Sequence, residues 1–406
     1  MERISKTRNE FDLFFRDKME GKIDKLDEAR RKIRKSRNKY LGISAMGILP
    51  ALLFAQFFRS FDFVFYIIAI GFGIYGFIKI HGLQKGFSQQ MKQEVIKETV
   101  KFINPAFKYD PEKFIPKKTF VNTNIFKKVP NRYRGDDYIW GYVYDSEEKT
   151  TKNLEPQAAA SLNIQNTEQE EFTPISEKIN ETIGLNTGDA NDTSENVPKT
   201  MVAFSEVEAL HVTKRRDKDG KTKTYEEKIF KGLFFQVDFN KDFKGVTLVL
   251  PRQNLLSRFK QHNVVMRHKD LEDLELDHID FNEQFTVRTT DETKARYILT
   301  PAFMEKLLAF VEDTKESATN RPVNSDLFST FTDQSKGFNV KKRYVPYFSF
   351  KNGKMYFLLN TDHKHFDFNL DQKLDRDLLY YYFEDINKSL QLVEELDLNL
   401  RLWNKD

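Results

Sequence analysis

Two stretches without a single charge, set close together near the start of the chain, constrain it more than any other feature. Residues 41–58 read LGISAMGILPALLFAQFF and residues 63–78 read FVFYIIAIGFGIYGFI, with Arg59-Ser60-Phe61-Asp62 between them. At about 1.5 Å of rise per residue these runs span roughly 27 and 24 Å, which with their flanks matches a hydrocarbon layer of ~30 Å. So short a connection permits only an antiparallel hairpin of two membrane-crossing helices. A pair of buried core helices is the competing reading, and two adjacent uncharged runs of this length speak against it. A cleaved signal peptide fits no better, because the apolar run starts about forty residues in, is long and lacks a small-residue cleavage site.

Each run carries small residues on one face: Ser44, Gly47, Ala51 and Ala55 on the first, Ala69, Gly73 and Gly76 on the second. Such faces let two helices approach closely where lipid gives no hydrophobic drive. Pro50 is expected to kink the first helix or to sit where its partner covers the freed carbonyl. Gly71 to Gly76 spells G-x-G-x-x-G, but a dinucleotide loop needs a preceding strand and a polar helix start. Inside an apolar run these are packing glycines, and no cofactor is expected.

The charge distribution orients the hairpin. The first run is preceded by Arg30, Arg31, Lys32, Arg34, Lys35, Arg37 and Lys39, and the second is followed by Lys79, Lys85 and Lys92. The positive-inside rule then places both termini in the cytoplasm. Residues 22–39 hold nine Lys/Arg against three Asp/Glu, a local charge of +6, while the whole chain is only +4. The basic excess therefore belongs to topology. It offers a surface for anionic lipid headgroups, and no aromatic-interleaved basic patch elsewhere points to nucleic acid. The chain has no cysteine, which excludes disulfides, thiol nucleophiles and zinc–thiolate sites.

Beyond the hairpin the expected fold class is α+β. Residues 1–40 form a basic amphipathic helix, 41–80 the hairpin, 81–104 a second amphipathic helix and 105–145 the start of a soluble domain. Residues 146–200 form a disordered acidic insert, and 201–406 form the α+β domain of mainly antiparallel sheet with packed helices. Phe11, Phe15, Met19, Ile23, Leu26, Ala29 and Ile33 form the stripe of the first helix; Leu83, Phe87, Met91, Val95, Thr99 and Phe102 form that of the second. Either the two helices pack on each other as a stalk, or each lies on the membrane surface or on the soluble domain. Asn104-Pro105 ends the second. Residues 217–220, DKDG, and Asn352-Gly353 signal hairpins, and 252–260 and 263–267 read as a short helix and a strand.

Gly141-Tyr142-Val143, residues 204–209 (FSEVEA), residues 230–234 (FKGLF) and Phe243-Lys244-Gly245 carry a family resemblance. So do Phe285-Thr286-Val287, Asp291, Ala295-Arg296-Tyr297 and residues 299–303 (LTPAF). The chain resembles the bacterial family catalogued as domain of unknown function 3137, from the hairpin onward, with an unusually long acidic insert. The resemblance implies a membrane hairpin before a cytosolic α+β domain, in the inner (plasma) membrane of a bacterium. It brings no activity or catalytic residues.

Motifs that carry chemistry are sparse. His363 and His365 alternate, with Asp367 on the same strand face, as a weak metal-ligand set against the plainer reading of solvated turn residues. Residues 238–249 begin like a calcium loop, but Phe243 stands where glycine is required and Val249 where the bidentate acid belongs. Asp291, Arg296, Tyr297, Thr300 and Pro301 form a structural or recognition motif: helix caps and a surface ion pair on one reading, a carboxylate or phosphate site on the other. No catalytic residue is assigned. The expected role is a membrane-anchored cytosolic binding or scaffold module with a protein partner and the bilayer as partners, oligomers being open. The alternatives are a membrane-surface enzyme and an accessory subunit of a transport complex.

Overall fold

The computed structural model describes residues 5–57, 62–144, 199–216, 220–238, 244–252, 270–319, 346–360, 366, 368 and 370–395. The expected acidic insert, the helix at 252–260 and the strand at 263–267 fall outside the described residues, the insert but for its last two and the helix but for its first. By internal contacts the chain divides into residues 3–143 with 200–406, and a second unit of residues 1–2 with 144–199. Everything below concerns the first.

Thr7 opens the fold with a reciprocal cap: its Oγ1 accepts from Glu10 N–H at 3.3 Å, and Glu10 Oε2 accepts from Thr7 N–H at 2.8 Å. Helix α1 (Arg8–Phe14) passes through one π-helical turn (Phe15–Met19) into α2 (Glu20–Phe57). The return leg is α3 (Asp62–Met91), a second π turn (Lys92–Ile96) and α4 (Lys97–Ile103), ending at Asn104 before Pro105. Both legs are thus unbroken helices of 49 residues (Arg8–Gln56) and 41 residues (Phe63–Ile103), each long and apolar enough to cross a membrane. Pro50 lies inside α2 without ending it.

The two legs meet two environments. In the apolar halves the large side chains point outward, Met46 being 78% and Phe77 70% exposed, and only small residues are buried between the legs. A Cβ at Gly76 would fall on the Ser44 side chain, and one at Gly47 on the Phe72 ring, so close helix approach requires both glycines. Gly73 has only Ile48 nearby and Gly71 nothing, so Gly71 does not take part in packing. In the other halves the stripes turn inward: Phe11, Met19, Leu26, Phe87, Met91 and Val95 are all at most 3% exposed. They pack on each other and enter one hydrophobic core with the sheet. The stalk and the domain-docked alternatives are therefore one arrangement.

The remaining helices among the described residues are α5 (Lys117–Asn122), α6 (Ile279–Gln284), α7 (Glu292–Ile298), α8 (Pro301–Thr319) and α9 (Arg376–Glu395). Nine strands form one antiparallel sheet: β1 (Lys108–Asp110), β2 (Arg132–Tyr144), β3 (Lys199–Arg216), β4 (Thr222–Asp238), β5 (Val246–Pro251), β6 (Glu272–Leu274), β7 (Phe285–Thr289), β8 (Tyr347–Lys351) and β9 (Lys354–Asn360). Their order is β1-β2-β3-β4-β9-β8-β5-β7-β6, and the fold is α+β. Asn352 and Gly353 hold φ of 51° and 66°, the type I′ turn that joins β8 to β9.

Strand alternation splits the aromatic load between two faces. Phe204, Phe235, Phe357 and Phe348 stand in register across β3, β4, β9 and β8 as a stacked ladder, with centroid spacings of 4.7, 3.9 and 5.8 Å. That face is covered by the amphipathic halves of the helix legs with α8 and α9. The opposite face carries Phe230, Phe234, Tyr356 and Leu358, covered by Ile115, Phe120, Ile125 and Phe126 around α5.

Candidate functional site

A lysine on the buried arc of a helix must find anions, because an isolated ammonium in an apolar interior costs far more than the chain can supply. Lys92 is such a residue: it begins the π turn of the return leg, and its side chain is 9% exposed. Its Nζ donates to Asp136 Oδ2 at 2.7 Å and to Asp137 Oδ2 at 2.6 Å. The other oxygen of Asp137 accepts from Tyr109 Oη on β1 at 2.5 Å. Glu206 on β3 brings a third carboxylate, with oxygens of Asp136, Asp137 and Glu206 all within 4.8 Å of one another.

The local sequence makes this convergence possible. Gly135 lets β2 press against β3, since a Cβ there would strike the Glu206 carbonyl and the Phe114 side chain. Asp137 then takes φ of +58° and its N–H bonds to Pro111 O at 3.3 Å. The turn sends adjacent carboxylates toward the same ammonium. π turns recur where a helix must aim a side chain out of its regular row.

Electrostatically the cluster holds three carboxylates against one ammonium. Burial pushes the Asp137 carboxyl up to about 7, helped by repulsion from Asp136 and opposed by Lys92. Lys92 is held above the usual lysine range by Asp137 and Asp136, although its own burial acts the other way. Burial, then Asp137, drives the Tyr109 hydroxyl upward, so it remains a neutral donor. The ammonium sits on the Asp136 and Asp137 oxygens where a metal ion would have to bind, so the set fits an internal ion cluster better than a metal centre. Lys92 and Tyr109 join the return helix, β1 and β2 at Asp137, with the Glu206 carboxylate of β3 beside them.

Sequence placed none of these five in a site: Lys92 counted only among the basic residues after the second run, and Glu206 only within residues 204–209 of the resemblance. The usable signals were a lysine beside Met91 on an apolar stripe, and Gly-Asp-Asp within a strand-like run. Of the residues singled out, Asp291 caps α7, accepting from Lys294 N–H at 3.1 Å and pairing with its ammonium at 3.0 Å. The Lys294 backbone bond holds the Asp291 carboxyl below its ordinary range. Arg296 pairs instead with Glu292 at 2.9 Å and Asp277 at 3.5 Å. Thr300 Oγ1 accepts from Phe303 N–H at 3.3 Å, Pro301 opens α8, and Tyr297 is exposed. His363, His365 and Asp367 lie outside the described residues.

The seven basic residues before the first apolar run do not form one headgroup surface. Arg30 is buried and donates to Asp27 Oδ1 and Leu370 O, both at 2.7 Å, so it faces protein. Arg31 pairs with Asp27 and Lys32 with Glu28. Arg37 grips Asp371 through both nitrogens at 2.6 and 2.7 Å, with Arg34 at 3.1 Å. Lys35 and Lys39 are exposed and make no ion pair among the described residues. Sequence could not show that residues 370–376 return to this helix leg, where Arg376 also pairs with Asp12.

Residues 228–344 match the model of a family described as protein of unknown function (DUF3137). Over those residues the match supports membership of that family. No curated protein and no solved structure matches it. The DUF3137 match begins in β4 and covers Asp291 to Pro301, whereas the hairpin, Gly141-Tyr142-Val143 and residues 204–209 precede it. The Lys92 cluster also lies outside the matched DUF3137 residues.

Proposed function

We propose that this DUF3137 protein is a membrane-anchored binding or scaffold module, its hairpin crossing the inner membrane of a bacterium with both termini and the sheet domain in the cytoplasm. The observation that carries the reading is the continuity of both helix legs, from outward-facing apolar halves into the core of the sheet. A domain built this way has no flexible linker at its anchor, and the Lys92 cluster fastens the return leg to β2 and, through Asp137, to β1. Such a body holds a protein surface at fixed height and orientation above the bilayer. The cleft between helix legs and α9, lined by Ile23, Met91, Val95, Leu374 and Tyr382, encloses a cavity of only about 10 Å³. That is small for a ligand site of ~300–1,000 Å³ and suits a packing seam better.

Two experiments test the reading. Because the chain has no cysteine, Ser36→Cys and Ser60→Cys can be labelled with an impermeant maleimide on intact and inverted vesicles. Labelling from opposite sides is expected; labelling from one side removes the hairpin topology. Affinity capture from native membranes, using the full chain against one cut after Phe102, should enrich a partner that needs the domain. Equal recovery with both would overturn the scaffold role.

A further inference from the structure

The two helix legs change character at one height. A Cβ on Gly76 would fall on the Ser44 side chain and lie 3.9 Å from the Tyr40 carbonyl oxygen, and the Tyr40 and Tyr75 rings meet edge to face at 6.2 Å. Tyr40 and Gly76 therefore mark a shared level. On the first leg the outward apolar side chains of the run start with Leu41, and on the return leg they stop with Ile78. The exposed charges next to those ends are Lys39 and Lys79, followed outward by Lys35 and Lys85. Counted from Tyr40 on one leg and Gly76 on the other, Lys39, Lys79, Lys35 and Lys85 lie about 2, 5, 8 and 14 Å along the axis. Side chains on a helix tilt toward its N-terminus, so Lys85, the farthest, leans back toward the apolar run.

The stretch around these lysines is empty of acid in the sequence itself: none stands between Glu28 and Asp62, and none between Asp62 and Glu94. The acids that flank or approach it among the described residues are engaged by other groups. Asp27 holds Arg30 and Arg31, Glu28 holds Lys32, Asp371 holds Arg34 and Arg37, and Glu112 accepts from Gln89. Lys35, Lys39, Lys79 and Lys85 make no ion pair among the described residues, and Lys79 lies 6.0 Å over the exposed Tyr75 ring. Ammonium groups just outside two outward-facing apolar runs, with a tyrosine pair at the boundary, have the chemistry that headgroup phosphates select.

We propose that Lys35 and Lys39 of the first leg and Lys79 and Lys85 of the return leg form a collar that binds the phosphates of anionic phospholipids around the hairpin. The collar rests on the membrane reading above. It draws on both legs because five of the seven basic residues before the first run are already paired with the protein's own acids. The hairpin then gathers anionic lipid at the base of the domain and leaves zwitterionic lipid at its random share.

The test reconstitutes the full chain in phosphatidylcholine bilayers with a trace of spin-labelled lipid and measures the fraction of label immobilised at the protein. Spin-labelled phosphatidylglycerol is expected to associate severalfold more than spin-labelled phosphatidylcholine, with the excess lost near 1 M salt, where screening acts within ~3 Å. Replacing all four lysines by Gln should abolish the excess, and replacing either leg's pair should remove about half. Arg31→Gln with Lys32→Gln, which frees acids and removes no collar residue, should leave it. Equal association of the two lipids, or an excess that survives the fourfold change or depends on one leg alone, overturns the collar. Immobilised phosphatidylcholine separates the two ideas. If it is present without a phosphatidylglycerol excess, only the collar falls; if neither lipid is immobilised, the membrane reading falls first.

Discussion

The two ends of one helix pair obey opposite packing rules. In the half that holds 41–78, bulky side chains face out and the legs touch through Ser44, Gly47, Ala51, Ala69 and Gly76. In the half that holds 8–33 and 83–103, Phe11, Leu26, Phe87 and Met91 face in, and the outside is charged. The backbone is continuous between them, so the difference lies in the surroundings each sequence suits. Where water surrounds the helix, burying large apolar groups drives contact; where lipid does, only close van der Waals fit remains. One continuous helix pair thus carries both an apolar outer surface and part of the domain core.

The strongest way to break this picture is to unfasten the amphipathic half. Lys92→Met leaves Asp136 and Asp137 without their ammonium and should cost about 3–5 kcal/mol of domain stability, read by urea unfolding through Trp140 fluorescence. A loss below about 1 kcal/mol would show that the cluster is not buried as described. Next comes a paired truncation of the same residue type in the two halves. Leu26→Ala should cost about 2–5 kcal/mol, whereas Leu49→Ala, at an outward position, should barely move the domain's midpoint. Equal costs would remove the contrast between the halves.

The reverse test overfills the hairpin. Gly76→Ile should strain the contact with Ser44 by about 1–3 kcal/mol, while Gly71→Ile, with open space around it, should be tolerated. Thermal inactivation of hairpin pairing in detergent, followed by crosslinking, reads both. Titration sharpens the comparison further. Asp137 holds its proton more tightly folded, up to about 7, than in the unfolded chain. The folded state then binds more protons between about pH 4 and 7, so stability falls as pH rises through that window. Lys92 stays protonated throughout it and adds no slope. Asp137→Asn should remove a slope of at most about 1.4 kcal/mol per pH unit. Smallest is Asp371→Asn, which loosens a partly exposed pair with Arg37 and should cost less than about 1 kcal/mol.

Some of this was legible in the chain. The apolar runs, the stripes at three- and four-residue steps, the stop at Asn104-Pro105 and the turn at Asn352-Gly353 all follow from local chemistry. Elements of three to six residues, β1, α5, β6 and α6, escaped because their contacts are remote and their patterns too short. The cluster of Lys92, Tyr109, Asp136, Asp137 and Glu206 escaped for the same reason. Its members are scattered over more than a hundred positions, and each alone reads as an ordinary surface residue.

By itself the sequence determined where the helices are apolar all round and where they are striped, because a period of 3.6 residues and an absence of charge are local facts. It also carries the match of residues 228–344 to a family model. Only the tertiary structure decided what the stripes face, since the sheet and the returning α9 supply that surface from afar. Only it decided that Arg30 and Arg37 bind Leu370 and Asp371, and that Lys92 is a buried clasp. Ion pairs and buried charges are settled by which groups meet, and the order of residues along a chain does not say which groups will.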